Sequence, residues 1–367
     1  MKKLGFGMMR LPLLDRDDPT SIDLEQLKEM VDCFLERGFT YFDTAWMYCG
    51  HKSECAVKDA LVTRHPRSSY TLATKLHGSY LKSADDCDRI FREQCEKTGV
   101  DYFDYYLIHS ITRDLYEIYN KFDCFNWIRE KKAAGLVRKI GFSFHDDAEF
   151  LDQVLTEHPE MEFVQLQLNY LDWESDHIQS RLCYEVARRH GVDIIVMEPV
   201  RGGRLANLSP EIAAPLKEAH PDWSVPSWAI RFVAGLDGVF MVLSGMSNTA
   251  QLLDNTDYMQ SFAPLSDSEV ALVMEAAEKI KKENSINCTA CSYCTDGCPM
   301  EIQIPKIFSL YNEALANSDR RGRRRLYDAL DGGKAVDCIS CGQCEEVCPQ
   351  HLSVIKHLQT VAEYFKA

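Results

Sequence analysis

The sequence predicts an α/β protein: a (β/α)8 TIM barrel followed by a small, mostly helical domain. Three observations predict it. Short apolar, β-branched or aromatic runs alternate with helix-length segments over roughly 260 residues, close to the size of a closed parallel barrel. Three successive runs end on a polar residue at a near-constant interval. Beyond the last run, one cysteine pattern is written twice.

The predicted strands are 4–9, 40–43, 70–75, 105–109, 139–143, 163–167, 193–198 and 239–244. Between them, apolar residues recur at helical spacing. Ile22, Leu27, Met30, Val31, Phe34 and Leu35 form one such stripe, closed by Gly38. An open doubly wound sheet would also alternate. No Gly-x-Gly-x-x-Gly follows the first run, however, and that weakens the dinucleotide-binding version of the open sheet. Ser266-x-x-Glu269 reads as a capping box opening a helix that runs to about residue 283. The domains are therefore expected at 1–283 and 284–367. In the second, helical patterns run through Ile307, Leu310, Tyr311, Ala314 and Leu315, and through Leu352, Ile355, Leu358, Val361, Ala362 and Phe365.

Composition narrows the class. With 46% hydrophobic and 26% charged residues, the 367-residue chain is ordinary for a globular protein. No apolar stretch approaches a membrane span, and the first apolar run is broken by Arg10, too short for a signal segment. From 284 onward nine Lys+Arg balance ten Asp+Glu, so nearly all of the net charge of −15 sits on the first part. That balance argues against a nucleic-acid partner. The local exception is Arg320, Arg321, Arg323, Arg324 and Arg325, read either as a solvated face or as a docking patch for an acidic electron-transfer partner. Seven scattered cysteines (Cys33, Cys49, Cys55, Cys87, Cys95, Cys124, Cys183) are expected to be buried thiols, and a reducing cytoplasm is the expected location.

The repeated pattern is Cys288, Cys291, Cys294, Cys298-Pro299 and Cys338, Cys341, Cys344, Cys348-Pro349, each Cys-x-x-Cys-x-x-Cys-x-x-x-Cys-Pro. Three closely spaced thiolates can hold three irons of a cubane, while the fourth ligates the other cluster. Two 4Fe-4S clusters follow: one on Cys288, Cys291, Cys294 and Cys348, the other on Cys338, Cys341, Cys344 and Cys298. Zinc is the main competitor, but its knuckles usually offer two cysteines each. The gap between Cys298 and Cys338 is too long for the compact bacterial ferredoxin. It is similar to the all-helical two-cluster ferredoxin module of larger oxidoreductases.

Asp43, Lys75 and His109 close three consecutive strand runs, 32 and 34 residues apart. That interval is about one βα unit, so all three belong at one rim of the barrel. Tyr48 follows on the loop leaving the strand of Asp43. An ammonium beside a phenol should lower its pKa, a carboxylate should orient the ammonium, and an imidazole can polarise a carbonyl. Each residue has an ordinary structural use: Asp43 as a helix cap, Lys75 and Tyr48 on a wet rim, His109 in the core. Their common spacing favours catalysis.

The segment Phe42-Asp43-Thr44-Ala45-Trp46-Met47-Tyr48, with Lys75 and Leu107-Ile108-His109, resembles the aldo/keto reductase superfamily over about residues 1–280. The resemblance implies NAD(P)H-dependent reduction of an aldehyde or ketone, or oxidation of the alcohol. It makes Tyr48 the proton donor, Lys75 and Asp43 its tuning pair, and His109 the residue that orients the carbonyl. It also implies a cofactor site, NADPH or NADH, at Gly7, Asp43, Ser143, Gln165, Met197, Pro199, Val200, Gly202, Ser247, Asn248, Gln251 and Asn255. Several positions depart from the family pattern. Phe144 stands where asparagine is usual, and Met197 where a stacking tyrosine is usual. Met246 and Gln251 replace the two cations that grip a 2′-phosphate, a loss for which Arg201 or Arg204 could compensate. The whole chain is similar to the bacterial or archaeal subgroup that fuses this barrel to a ferredoxin-like tail.

Two other functions fit the same residues. In one, the barrel-site substrate or a bound flavin exchanges single electrons with the clusters and a ferredoxin or flavodoxin partner. In the other, the chain is a non-catalytic electron carrier or sensor. Specificity is expected in the loops 49–53, 78–82, 111–124 and 171–176. Their Tyr116, Tyr119, Phe122, Phe125 and Trp173 suit either a ring-bearing substrate or the core.

Overall fold

A computed structural model of the chain describes residues 2–15, 18–282, 285–316 and 320–366. The expected domain boundary at 283/284 lies outside the described residues. Two compact units emerge: Met1–Pro199 with Ser227–Val270, and Val200–Pro226 with Ala271–Ala367.

In the first unit eight parallel strands close a barrel in sequence order, β8 pairing back to β1. They are β1 (Leu4–Gly7), β2 (Tyr41–Asp43), β3 (Thr71–His77), β4 (Phe103–Ile111), β5 (Val137–Phe144), β6 (Phe163–Gln167), β7 (Asp193–Met197) and β8 (Val239–Ser244). Their interior is a packed core, with Tyr41, Ala73, Leu107, Phe163, Ile195 and Met241 fully buried in one cluster. Alternation along each strand sends the other side chains to the helical layer. On β1 and β2, Phe6 and Phe42 meet Phe34 of the helix Leu24–Glu36, with ring centroids 5.4–5.5 Å apart. That helix carries the stripe read from the sequence and is capped by Asp23, whose carboxylate accepts from Gln26 N at 3.1 Å.

Register fixes the rim. Asp43 pairs with Ala73, Lys75 with Leu107 and His77 with His109. Lys75 and His77, two residues apart on β3, therefore share the face opposite Thr74.

The second unit is built on the helices Ile304–Ala316, Arg320–Asp328 and Val354–Lys366. Ile307, Phe308, Leu358, Val361 and Phe365 form its core, and Tyr327 stacks on Phe365 at 4.7 Å. The segment after β7 also belongs here. Arg201 Nη1 donates to Asn287 O at 2.9 Å, and Arg204 Nη2 donates to Ser285 Oγ at 2.6 Å. Gly202 (φ +63°) lies so close to Thr289 that an added Cβ would come within 2.5 Å of its carbonyl oxygen. The helix Asp267–Lys282 starts with the expected capping box, Ser266 N donating to Glu269 Oε2 at 2.6 Å. Among the described residues no helix is long and apolar enough to cross a membrane. Of the seven scattered cysteines, Cys87, Cys124 and Cys183 are buried; Cys33, Cys49, Cys55 and Cys95 are only partly so.

Gly141 on β5 is a packing requirement of the barrel. A Cβ there would sit 2.3 Å from Phe163 O and 2.8 Å from its ring. Gly141→Ala should therefore destabilise the fold by about 1–3 kcal/mol, seen as a lower urea midpoint with an unchanged slope.

Candidate active site and thiol cavities

The strand ends bring the four expected residues together. Lys75 Nζ donates to Asp43 Oδ1 at 2.5 Å and to Thr44 O at 2.8 Å. It also lies 4.9 Å from the centroid of the Tyr48 ring. Tyr48 meets His109 edge-to-face at 6.0 Å. All four side chains are buried or nearly so.

Burial sets their ionisation. It pushes Asp43 up and Lys75 down, and each opposes the other's shift through the ion pair. His109 is held well below the usual imidazole range by burial and by the neighbouring His77, Lys75 and His145, so it is neutral. Tyr48 corrects the expectation of an acidified phenol. Burial raises it well above 10, and the negative charges of Asp43 and Glu198 add to the rise. The physical reason is that burial disfavours the phenolate more than any neighbouring charge favours it. Tyr48 is thus a fully protonated phenol.

Behind Lys75, on the other face of β3, lies a polar network that sequence reading did not reveal. Glu54 Oε1 accepts from Thr74 Oγ1 at 2.8 Å and from Gln94 Nε2 at 3.0 Å. Gln94 Nε2 also donates to Lys75 O at 3.0 Å, and Tyr106 Oη donates to Gln94 Oε1 at 2.6 Å. The loop aromatics resolve toward structure. Tyr116 donates to Glu157, and Phe125 stacks on His158 at 3.5 Å. Tyr119 Oη accepts from Gly78 N at 2.8 Å and donates to His109 O, fixing the backbone that carries His109. His77 is the ring beside His109, and Tyr80, Trp46 and His51 continue from it as a chain of edge contacts. Trp46 lies 4.5 Å from His51 and 4.6 Å from Tyr80, and His77 lies 5.0 Å from His109.

In the second unit the eight motif cysteines surround two small cavities. Cys288, Cys291, Cys294 and Cys348 line one; Cys298, Cys338, Cys341 and Cys344 line the other. The fourth cysteine of each motif is thus beside the other motif's first three. Apolar residues such as Ile304, Phe308 and Leu358 fill the walls. Burial pushes the Cys294 thiol far up and Cys344 to about 11, so these sites form thiolates only with compensating positive charge. Four thiols spread around such a volume suit a multi-iron cluster. Among the described residues no three His, Cys, Asp or Glu converge on a single-ion site.

Comparison with known proteins agrees with both parts. The model of the aldo/keto reductase family matches residues 3–278, and that of the 4Fe-4S dicluster domain matches residues 287–353. The chain belongs to the aldo/keto reductase family. It is an oxidoreductase carrying an iron–sulfur domain. Solved structures show the same barrel. A thermostable aldo-keto reductase, Tm1743, in complex with the inhibitor epalrestat, is 21% identical, with a TM-score of 0.59 over 74% of this chain and 94% of that one. The holo form of aldo-keto reductase AKR11C1 from Bacillus halodurans is 23% identical (TM-score 0.58, 75% and 91% covered). An aldo/keto reductase from Klebsiella pneumoniae in complex with NADP and acetate is 19% identical (TM-score 0.57, 74% and 90% covered). A search of curated proteins by sequence finds no match.

In this aldo/keto reductase the expected cofactor positions divide into two groups. At the strand ends, Gln165 Nε2 donates toward Met197 Sδ at 3.5 Å while its Oε1 is buried without a partner. Ser143 Oγ accepts from Ser110 N at 2.7 Å and keeps its own proton to donate. An orphaned acceptor and an available donor fit a carboxamide. Gly7 keeps β1 close to Ser244, 3.3 Å from a would-be Cβ, and Phe144 is buried. At the other end, Asn248 caps the helix Thr249–Gln260, and Gln251 folds back so that its Oε1 accepts from Ser247 N at 2.7 Å. Asn255 Nδ2 donates to Ser244 Oγ at 3.2 Å. Met246 is fully buried. Arg201 and Arg204, expected as possible phosphate cations, hydrogen-bond to Asn287 and Ser285, and Pro199 and Val200 lead into that turn. Arg10, missed in the sequence, packs its side chain along Gly245, with Nη2 3.9 Å from Glu198 Oε1. Of the arginine cluster, Arg323 pairs with Glu313 at 2.8 Å, Arg324 with Asp328 at 3.6 Å, and Arg320 lies over Tyr364.

Glu54 provides a pH test of the buried network. Burial raises its pKa from 4.5 to about 7. The folded state therefore binds the proton before the unfolded state does as pH falls, and Glu54 contributes stability below pH 4.5 that is lost as pH rises through 7. Relative to Glu54→Gln, the wild type should gain on the order of 3 kcal/mol between pH 7.5 and 4.5, read from urea unfolding at both values. A pH-independent difference would overturn the assignment.

Proposed function

We propose that the enzyme reduces an aldehyde or ketone, or oxidises the alcohol, with NADPH or NADH, and that Tyr48 is its proton donor. The observation that carries this reading is one rim holding a protonated phenol, a buried Lys75–Asp43 pair and a neutral imidazole. When bound, the reduced nicotinamide supplies hydride to the carbonyl carbon. Gln165 and Ser143 hold its carboxamide. Neutral His109 donates a hydrogen bond to the carbonyl oxygen and so orients it. Tyr48 passes its proton to that oxygen as charge develops there, and Lys75 offsets the charge left on the phenolate. Asp43 keeps Lys75 charged and in place in a site where burial favours the neutral amine.

In the second unit we assign one 4Fe-4S cluster to Cys288, Cys291, Cys294 and Cys348, and the other to Cys298, Cys338, Cys341 and Cys344. Such clusters, when bound, store single electrons. A second reading draws on the second thiol set. Cys341 is exposed, and Val336, Ile339 and Val347 beside it are 70%, 59% and 49% exposed. An apolar face next to a cluster suits a one-electron protein partner, with Arg321 and Arg325 the exposed cations of the neighbouring helix.

A panel of carbonyl substrates assayed with each nicotinamide tests the first reading. Tyr48→Phe should lower turnover by a factor on the order of 10²–10⁴ while dinucleotide binding persists. Dependence on a reduced protein carrier, with no nicotinamide oxidation, would favour the second. The ligand sets are tested by iron analysis of paired variants. Cys291→Ser with Cys348→Ser should leave about four irons of eight, since both belong to one cluster. Cys291→Ser with Cys298→Ser should leave none. The reverse outcome would mean that each motif binds its own cluster.

A further inference from the structure

His77 stands beside the four rim residues and takes no part in the steps above. It closes β3 two positions after Lys75, on the same face of the strand, and is in register with His109 on β4. The two imidazoles meet edge-to-face, centroids 5.0 Å apart at 85°. Tyr80 flanks His77 at 5.9 Å, and Trp46 in turn meets Tyr80 at 4.6 Å.

The turn after β3 sets which nitrogen of His77 carries its proton. Ser79 N donates to Nδ1 at 3.3 Å, and Ser79 Oγ lies 2.7 Å from the same atom. A backbone N–H can only donate, so Nδ1 is the acceptor and the neutral ring bears its hydrogen on Nε2. Burial holds the ring near pKa 4, so it is neutral at physiological pH. Among the described residues Nε2 has no hydrogen-bond partner. The rim therefore offers an oriented N–H donor next to His109. His77 is only half-buried, so this donor is open to a ligand entering the rim.

We propose that His77 Nε2–H binds a second oxygen of the substrate, adjacent to the carbonyl that His109 and Tyr48 engage, so that the preferred substrates are carbonyls with a neutral vicinal oxygen: 2-hydroxy ketones, 2-hydroxy aldehydes and 1,2-diketones. Neutrality of both imidazoles, together with the carboxylates of Asp43 and Glu198 near the phenol, disfavours a 2-oxo acid. This inference rests on the carbonyl-reductase reading and narrows its substrate class.

Three four-carbon probes test it in the cluster-loaded enzyme with NADPH and with NADH: 3-hydroxy-2-butanone, 2,3-butanedione and 2-butanone. The first two should exceed 2-butanone in kcat/KM by about tenfold or more. His77→Phe should lower kcat/KM for the oxygenated pair about tenfold by raising KM while leaving 2-butanone unchanged, and His77→Gln, which restores an N–H donor, should recover part of the loss. A purely structural His77 would lower all three equally, and that result overturns the proposal. Imidazole ¹⁵N NMR gives a readout that needs no turnover. It should show the Nε2–H tautomer and a shift of that signal with 3-hydroxy-2-butanone but not with 2-butanone. An Nδ1–H tautomer, or equal shifts, would overturn the proposal as well. If no probe is reduced yet the selective shift appears, it is the reductase reading that fails and not the role of His77.

Discussion

The ion pair of Lys75 with Asp43 constrains this barrel more than any other contact. Both groups are out of water, and either one alone would be an uncompensated buried charge. The pair forms only in one strand register. Asp43 ends β2 opposite Ala73, and Lys75 lies two residues further along β3, on the same face. A slip of one residue would turn Lys75 toward the helical layer and bring Thr74 inward. Thr74 is itself held outside by Glu54 and Gln94. Polar groups on opposite faces of one strand thus reject the same error. The geometry of the rim follows, since Tyr48 and His109 take their places around a lysine held by its partner.

That much was legible in the sequence because it depends on period. Strand runs spaced by one βα unit placed Asp43, Lys75 and His109 on a common rim, and the eight strands lie within a few residues of their expected bounds. The cysteine repeat was legible for a similar reason: spacing along the chain limits which thiols can share a cavity. What spacing does not carry is environment. The phenol of Tyr48 sits high because it is desolvated and faces the charges of Asp43 and Glu198, and no linear pattern records that environment. Glu54, Gln94 and Tyr106 come from three elements, so their network had no local signature. His77 was hidden by its ordinary place after Lys75-Leu76; its significance lies in a tautomer fixed by Ser79 and a register that sets it against His109.

The thiol cavities show long-range closure of a different kind. Cys348 joins Cys288, Cys291 and Cys294, while Cys298 joins Cys338, Cys341 and Cys344. Thirty-nine residues lie between Cys298 and Cys338, and among those described are the helices Ile304–Ala316 and Arg320–Asp328, which give Ile307, Phe308 and Tyr327 to the core. Crossed thiol sets staple both ends of that insertion, so ordering one cavity draws together segments that also build the other. Loop closure of this length costs little more than a shorter one, which is why the insertion is tolerated. The core helices then determine the spacing of the cavities.

The same unit fixes the turn after β7. Arg201 and Arg204 reach Asn287 and Ser285, and Gly202 has no room for a side chain against Thr289, one residue past Cys288. The turn that carries Gly202 and Gly203 is thus shaped by the segment entering the first cysteine motif. Arg201 and Arg204 are thereby tied to the entry of the first cysteine motif, while at the strand ends Ser143 Oγ accepts from Ser110 N and Gln165 Oε1 is buried without a partner.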